Sequence, residues 1–296
     1  IALNAHNQLE IMPKIINKNK ASQNYNRFSL FLPAKKEEKI YGCGEQFSKL
    51  NLQGQKVPLW SQEPGLGRDH SIYALLANLY AGAGGKWHTT YYPQCGFVSS
   101  ANYFVYVDNY AYSIFDFKKK GYHRLHFWDI PKKFIIDFQP SAAETLSSLS
   151  NSLGKQPPLP DWAIDGVWLG IGGGLDESNR WSVPQKLKRA EENNVKVSAI
   201  WSQDWTGLHS PSKLETYLFW NWEYDPRRYP NLPEYIRSLN QKGIKFLGYN
   251  NCFLMRHGKM YKEAAQRGYL IKRKDGTVYN LNMFKSIKIH VGQTVD

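Results

Sequence analysis

The stretch of this 296-residue chain best furnished for chemistry runs Ile200-Trp-Ser-Gln-Asp-Trp-Thr-Gly207. It sets an amide and a carboxylate between two indoles. Asp204 can accept hydrogen bonds from two neighbouring hydroxyls, Gln203 offers both a donor and an acceptor, and Trp201 and Trp205 present flat apolar walls. That combination suits the rim and face of a pyranose ring. Phe219-Trp-Asn-Trp222 extends the aromatic pattern about a dozen residues on, which adds Trp220 to the candidates. The competing reading makes Asp204 a loop cap and the tryptophans core filling. Placement at the carboxyl end of a strand, where barrel active sites are built, favours the site.

Such residues need a scaffold. Val197-Ser-Ala-Ile-Trp201 is a continuous apolar run of the kind found in parallel strands buried on both faces. It is the second of three expected strand-helix units. Gly166–Ile171 leads to a helix around 184–194, Val197–Trp201 to one around 232–241, and Gly243–Tyr249 to one at 259–267 closed by Gly268. A (β/α)8 TIM barrel takes eight such units and about 250 residues, so only its first part is expected here. Between Arg27 and Gln139 the text changes to short strands separated by turns: Phe28–Pro33, Tyr73–Ala77, Tyr103–Val107, Tyr112–Phe117, His123–Trp128 and Phe134–Phe138. No helical period runs through them, and an antiparallel β-sandwich accounts for them. The expected organisation is a β-sandwich at 1–140, a capped helix and Pro-rich linker at 141–160, and a partial TIM barrel at 161–296.

Composition narrows the function. Hydrophobic residues at 42% and charged residues at 21% are ordinary globular values, and no run approaches the ~18 apolar residues of a membrane span. The net charge of +13 is scattered over clusters such as Lys35-Lys36, Lys118–Lys120, Lys132-Lys133 and Lys272–Lys274, which read as solvated loops. Neither a nucleic-acid nor a membrane partner is expected. Cys43, Cys95 and Cys252 lie far apart, so no disulfide framework or paired-cysteine metal motif arises. With no signal-peptide layout in Ile1–Lys20, a reducing, cytoplasmic location is expected. His123 and His126 fall on opposite faces of one strand and cannot share a metal. Gly170-Ile-Gly-Gly-Gly-Leu175 lacks the third glycine of a dinucleotide fingerprint, and no phosphate loop, zinc-protease or serine-hydrolase motif occurs. No cofactor is expected.

The residues resemble glycoside hydrolase family 31, most closely its sulfoquinovosidase branch. The resemblance rests on Tyr41-Gly-Cys-Gly-Glu-Gln-Phe-Ser48 with Pro58-Leu-Trp-Ser-Gln-Glu-Pro-Gly-Leu-Gly-Arg68. It continues through Leu159-Pro-Asp-Trp162 with Asp165-Gly-Val-Trp-Leu-Gly-Ile171, and then Trp201–Gly207 with Trp220-Asn-Trp222. It implies a β-sandwich packed on a (β/α)8 barrel and retaining hydrolysis of α-glycosides by two aspartates. Retention needs carboxyls roughly 5 to 5.5 Å apart. By the resemblance that pair follows Asp296, so no catalytic residue is assigned, the partner is an α-glycoside substrate, and the chain alone is expected to be inactive. Asp204 takes a sugar-binding role, and Glu63 and Arg68 join it from a sandwich loop that the family brings toward the cleft. A salt bridge from loop to barrel is the alternative for that pair.

The branch holds a sulfonate with two glutamines, an arginine, a tryptophan and a later tyrosine. Gln203 and Trp220 match the second glutamine and the tryptophan, whereas Gly172 and Tyr217 stand where the first glutamine and the arginine belong. Exchanging a guanidinium for a phenol removes a full charge, so an altered α-glycoside specificity is expected. Asn250-Asn-Cys252 replaces the family's Asn-Pro pair, and Lys285–Asp296 matches only loosely. The other reading is a catalytically inactive carbohydrate-binding remnant that keeps Gln203, Asp204 and Trp220.

Overall fold

The computed structural model describes residues 1–14, 25–62, 64–65, 67–68, 71–81, 84–212, 215–284 and 287–293. They divide into two compact units, Ile1–Gln156 and Pro157–Asp296.

In the first unit β1 (Ala2–Leu3), β2 (Leu9–Ile11), β3 (Phe28–Pro33), β4 (Ile40–Gly44) and β5 (Lys56–Leu59) precede helix α1 (Ile72–Ala81). Strands β6 (Pro93–Ser99), β7 (Tyr103–Asp108), β8 (Ser113–Asp116), β9 (Tyr122–Phe127) and β10 (Lys133–Phe138) follow, then helix α2 (Ala142–Leu153). They form a six-stranded sheet, β1-β2-β10-β7-β6-β4, and a four-stranded sheet, β3-β9-β8-β5. Every pairing is antiparallel. Alternate side chains of each sheet turn inward, so Phe97, Val105 and Phe134 share one core with Val57, Phe115, Leu125 and Phe127. Phe127 meets Phe134 of the other sheet edge-on, centroids 5.6 Å apart. Ser141 caps α2: its Oγ accepts from the Glu144 N–H at 3.2 Å and donates to Glu144 Oε2 at 2.7 Å.

The expected strand at Tyr73–Ala77 is instead part of α1. Alanine and leucine fill this segment, and both are strong helix formers. A short apolar run does not tell strand from helix by pattern alone, and here propensity decides.

The second unit opens with a single 3-10 turn at Asp161–Ala163. Strand β11 (Val167–Ile171), helix α3 (Val183–Glu192), strand β12 (Val197–Ser202) and a hairpin of β13 (Leu208–Ser212) and β14 (Glu215–Leu218) come next. Helix α4 (Leu232–Gln241), β15 (Lys245–Gly248), β16 (Phe253–Met255), α5 (Lys259–Gln266), β17 (Asn280–Phe284) and β18 (Ile287–Gln293) complete it. The parallel sheet runs β11-β12-β15, and Ser202 lies opposite both Ile171 and Gly248. All three carboxyl ends are therefore level. Ile171 and Ile200 of the sheet pack with Val183, Leu232 and Leu239 of the helices and with Tyr229. The hairpin β13–β14 and the antiparallel sheet β16-β18-β17 were not anticipated, although Asn280–Met283 and Ile287–Val291 alternate polar and apolar residues and so carry a strand signal.

Candidate functional site

Strand β12 delivers the candidate residues. Its inner positions Ser198, Ala199, Ile200 and Ser202 are buried, and the chain leaves the sheet at Gln203. The Gln203 N–H donates to the Ile171 carbonyl at 3.1 Å, which ties the turn to the end of β11. Its side chain is exposed. Gly207 closes the turn on the Asp204 carbonyl at 2.9 Å with φ +96°. A Cβ at Gly207 would come within 2.8 Å of Asp225 Oδ2, so glycine is required on both counts.

Asp204 is 2% exposed. The carboxylate expected to meet two sugar hydroxyls is engaged within the protein. Arg228 Nε donates to Oδ2 at 2.9 Å and Arg228 Nη2 reaches the same oxygen. Tyr229 OH donates to Oδ1 at 2.5 Å, and the Ser202 hydroxyl lies 3.4 Å from that atom. Arg228 Nη2 also donates to the Gly172 carbonyl at 3.2 Å. The reason is the fold of Asp225–Tyr229. The Asp225 N–H bonds the Trp205 carbonyl at 2.9 Å, and the Tyr229 N–H returns to the Asp225 carbonyl at 2.8 Å. This swings the guanidinium and the phenol over Asp204. Burial, then the neighbouring carboxylate, push the Tyr229 phenol above its ordinary range, so it stays a protonated donor.

Trp205 also differs from its expected role as a sugar wall. It is half-buried against the Ile171 and Ile200 core, and its Nε1 donates to the Tyr249 carbonyl at 2.6 Å. The ring wedges the ends of β12 and β15. Trp222 likewise spends its N–H on the Asn251 carbonyl, at 2.9 Å.

Trp220 is different. It packs with Tyr217, Phe219 and Phe253 around Met255, its ring centroid 5.7 Å from that of Phe253. The Met255 N–H fixes its carbonyl at 2.8 Å. Yet its indole Nε1 is buried and has no acceptor among the described residues. A buried N–H left in this state is costly unless something else takes the hydrogen bond.

In the first unit, Arg68 Nη1 donates to the Thr89 carbonyl at 2.8 Å, and the guanidinium lies 4.5 Å over the Phe47 ring. Glu63 lies outside the described residues. Arg228 and Tyr229 were not anticipated. The one available signal was the arginine pair Arg227-Arg228 downstream, since a carboxylate that becomes buried demands a cation.

Residues 156–292 match the family described as glycosyl hydrolases family 31 TIM-barrel domain. The chain belongs to glycoside hydrolase family 31. Among family members it is 40% identical over 257 residues to the sulfoquinovosidase of Escherichia coli (strain K12), covering 86% of this chain and 37% of that protein. It is 36% identical over 252 residues to the sulfoquinovosidase of Agrobacterium fabrum, covering 85% of this chain and 37% of the other. A solved family 31 sulfoquinovosidase from E. rectale, in complex with an aza-sugar inhibitor, superposes with a TM-score of 0.82 at 38% identity. That match covers 91% of this chain and 39% of the other. The chain thus spans less than two fifths of the length of each of these family 31 relatives.

Proposed function

We propose that the protein acts as a retaining α-glycoside hydrolase, and that Gln203 and Trp220 of this chain hold the sugar. The observation that carries the reading is the buried Trp220 Nε1, which has no acceptor among the described residues. An oxygen of a bound glycoside would complete it. Gln203, exposed at the carboxyl end of β12, adds an amide able to donate and accept. Asp204 serves as a positioning residue: through Arg228 and Tyr229 it holds the turn that presents Gln203. The double displacement itself requires a nucleophilic carboxylate and an acid/base. The family resemblance puts neither on a residue of this chain, so sugar binding is its assigned share of the work.

The relatives are named for a sulfonated sugar, but two of the polar positions differ here. Tyr217 brings no formal charge where the branch uses an arginine, and Gly172 no side-chain amide where it uses a glutamine. The proposed substrate is therefore an α-glycoside bound mainly through neutral hydrogen bonds. Calorimetric titration of the chain with methyl α-glucoside and methyl α-sulfoquinovoside tests this, repeated on Trp220→Phe. Loss of glycoside affinity in that variant is expected. Equal affinity with and without the indole N–H would refute the assignment.

A further inference from the structure

The aromatic residues of the first unit are not all spent on its core. Trp60 is 59% exposed, Tyr92 63% and Tyr110 90%. These rings, with the half-buried Tyr106, line one cavity of about 470 Å³ together with Gln94, Asp108 and Asn109. The volume lies within the roughly 300–1,000 Å³ of small-molecule sites. Three ring-bearing segments converge there: the end of β5, the start of β6, and the turn from β7 to β8.

The frame is rigid. Asn109 Nδ2 donates to the Ala111 carbonyl at 2.8 Å and the Ser113 hydroxyl at 2.9 Å, and Ser113 is fully buried. Ser61 Oγ donates to the Tyr91 carbonyl at 2.9 Å, clamping the Trp60 segment beside β6. Trp60 stands edge-on to Tyr112, centroids 5.7 Å apart. By contrast the Gln94 amide and the Asp108 carboxylate make no side-chain hydrogen bond among the described residues. Exposed rings beside an unspent amide and carboxylate, on a fixed frame, match what a sugar presents: an apolar face and a rim of hydroxyls. The Asp108 carboxylate is balanced by the Lys132 ammonium, 5.5 Å over the Tyr110 ring, so the rim carries no net charge and the class indicated is a neutral saccharide.

We infer that the first unit carries a binding pocket for a neutral oligosaccharide, with Trp60 and Tyr92 against the sugar faces and Asp108 and Gln94 taking its hydroxyls. This goes beyond the function proposed above and uses none of its residues.

The test is titration of the whole chain with maltotriose, followed by amide chemical shifts and by calorimetry. Saturable binding near the millimolar range is expected, with shifts concentrated at residues 59–61, 92–95 and 106–111. Trp60→Ala and Asp108→Asn, each checked for an unchanged thermal midpoint, are expected to weaken it about tenfold. Asp108→Asn guards against Trp60→Ala simply disturbing the strand end. No saturation by ~10 mM, shifts confined to other residues, or unaltered affinity in both variants would overturn the inference.

Discussion

Arg228 closes over Asp204. Its Nε donates to Oδ2 at 2.9 Å, and the carboxylate it covers is 3% exposed at the side chain. A buried anion without its cation is far worse than a neutral pair. Arg228→Met is therefore expected to cost about 3 kcal/mol, read as a lowered urea midpoint by tryptophan fluorescence. Asp204→Asn should cost less, because the amide still accepts from Tyr229. The double variant is expected to regain part of the loss, since each change removes the other's uncompensated partner. Strict additivity of the two single changes would show that the contact carries no coupling.

The two altered positions offer a direct test of sulfonate recognition. A Cβ at Gly172 would meet nothing within 4 Å, so a glutamine there has room. Tyr217 belongs to the same side-chain group as Trp220 around Met255, the place where the family resemblance calls for arginine. A charge-assisted hydrogen bond is worth about 1.5–3 kcal/mol. The double change Gly172→Gln with Tyr217→Arg is expected to raise the preference for methyl α-sulfoquinovoside over methyl α-glucoside about tenfold or more. Competitive titration measures the ratio. An unchanged ratio would mean that these positions do not face the substituent.

What could be read ahead of the structure follows from how each signal is written in the chain. The apolar run through Ile200 has no polar alternation, so the parallel strand ending before Gln203 was legible, as were Ser141 and the helix it starts. The helix at Ile72–Ala81 was not, because the six consecutive apolar residues Ile72–Ala77 fit either period. Asp204 and Trp205 were found as a chemically able pair, but their orientation depends on Arg228 and on Tyr249. Those partners lie 24 and 44 residues on, and no local pattern announces them. Trp220 and Trp222 look alike in the text. Only the packing shows that, among the described residues, the Trp222 N–H has an acceptor and the Trp220 N–H has none.

Acid should loosen the first unit in two stages. Glu38 is buried and accepts from Ser99 Oγ at 2.5 Å, Tyr103 OH at 2.6 Å and the Lys35 N–H at 2.9 Å, with His123 Nε2 at 3.2 Å. Burial pushes its carboxyl up, but the donors outweigh that and hold it below its ordinary 4.5. His123 lies below its ordinary 6.5 because its burial outweighs the pull of Glu38. Both groups thus bind protons more readily in the unfolded chain. Their stabilisation is complete above pH 6.5 and drains as pH falls, first through His123 and then, below 4.5, through Glu38. The urea midpoint should be flat above pH 7 and decline below it, and His123→Asn should shrink the first stage, to which His88 and His126, also held below their ordinary 6.5 by burial, contribute, while leaving the second. A midpoint that held steady from pH 7 down to 5 in the parent chain would contradict the assignment of His123.

The wedge between β12 and β15 makes a local prediction about glycine. A Cβ on Gly248 would lie 2.9 Å from Cε2 and Nε1 of Trp205. The ring cannot simply swing aside, because its Nε1 is bonded to the Tyr249 carbonyl at 2.6 Å and its body packs on the core of the second unit. Gly248→Ala must move either the indole or the strand end, and overpacking of this kind costs about 1–3 kcal/mol. Gly170 supplies the control on β11, since its nearest would-be neighbour is Trp201 Cε3 at 3.8 Å, an ordinary contact. Gly170→Ala is expected to stay within about 1 kcal/mol of the parent. Because Trp205 sits two residues after Gln203, Gly248→Ala should also lower glycoside affinity, and Gly170→Ala should not. Denaturation midpoints and the same titration, run side by side on the two variants, check both halves. If the two alanines behaved alike, Trp205 would not be the fixed wedge that the geometry makes it.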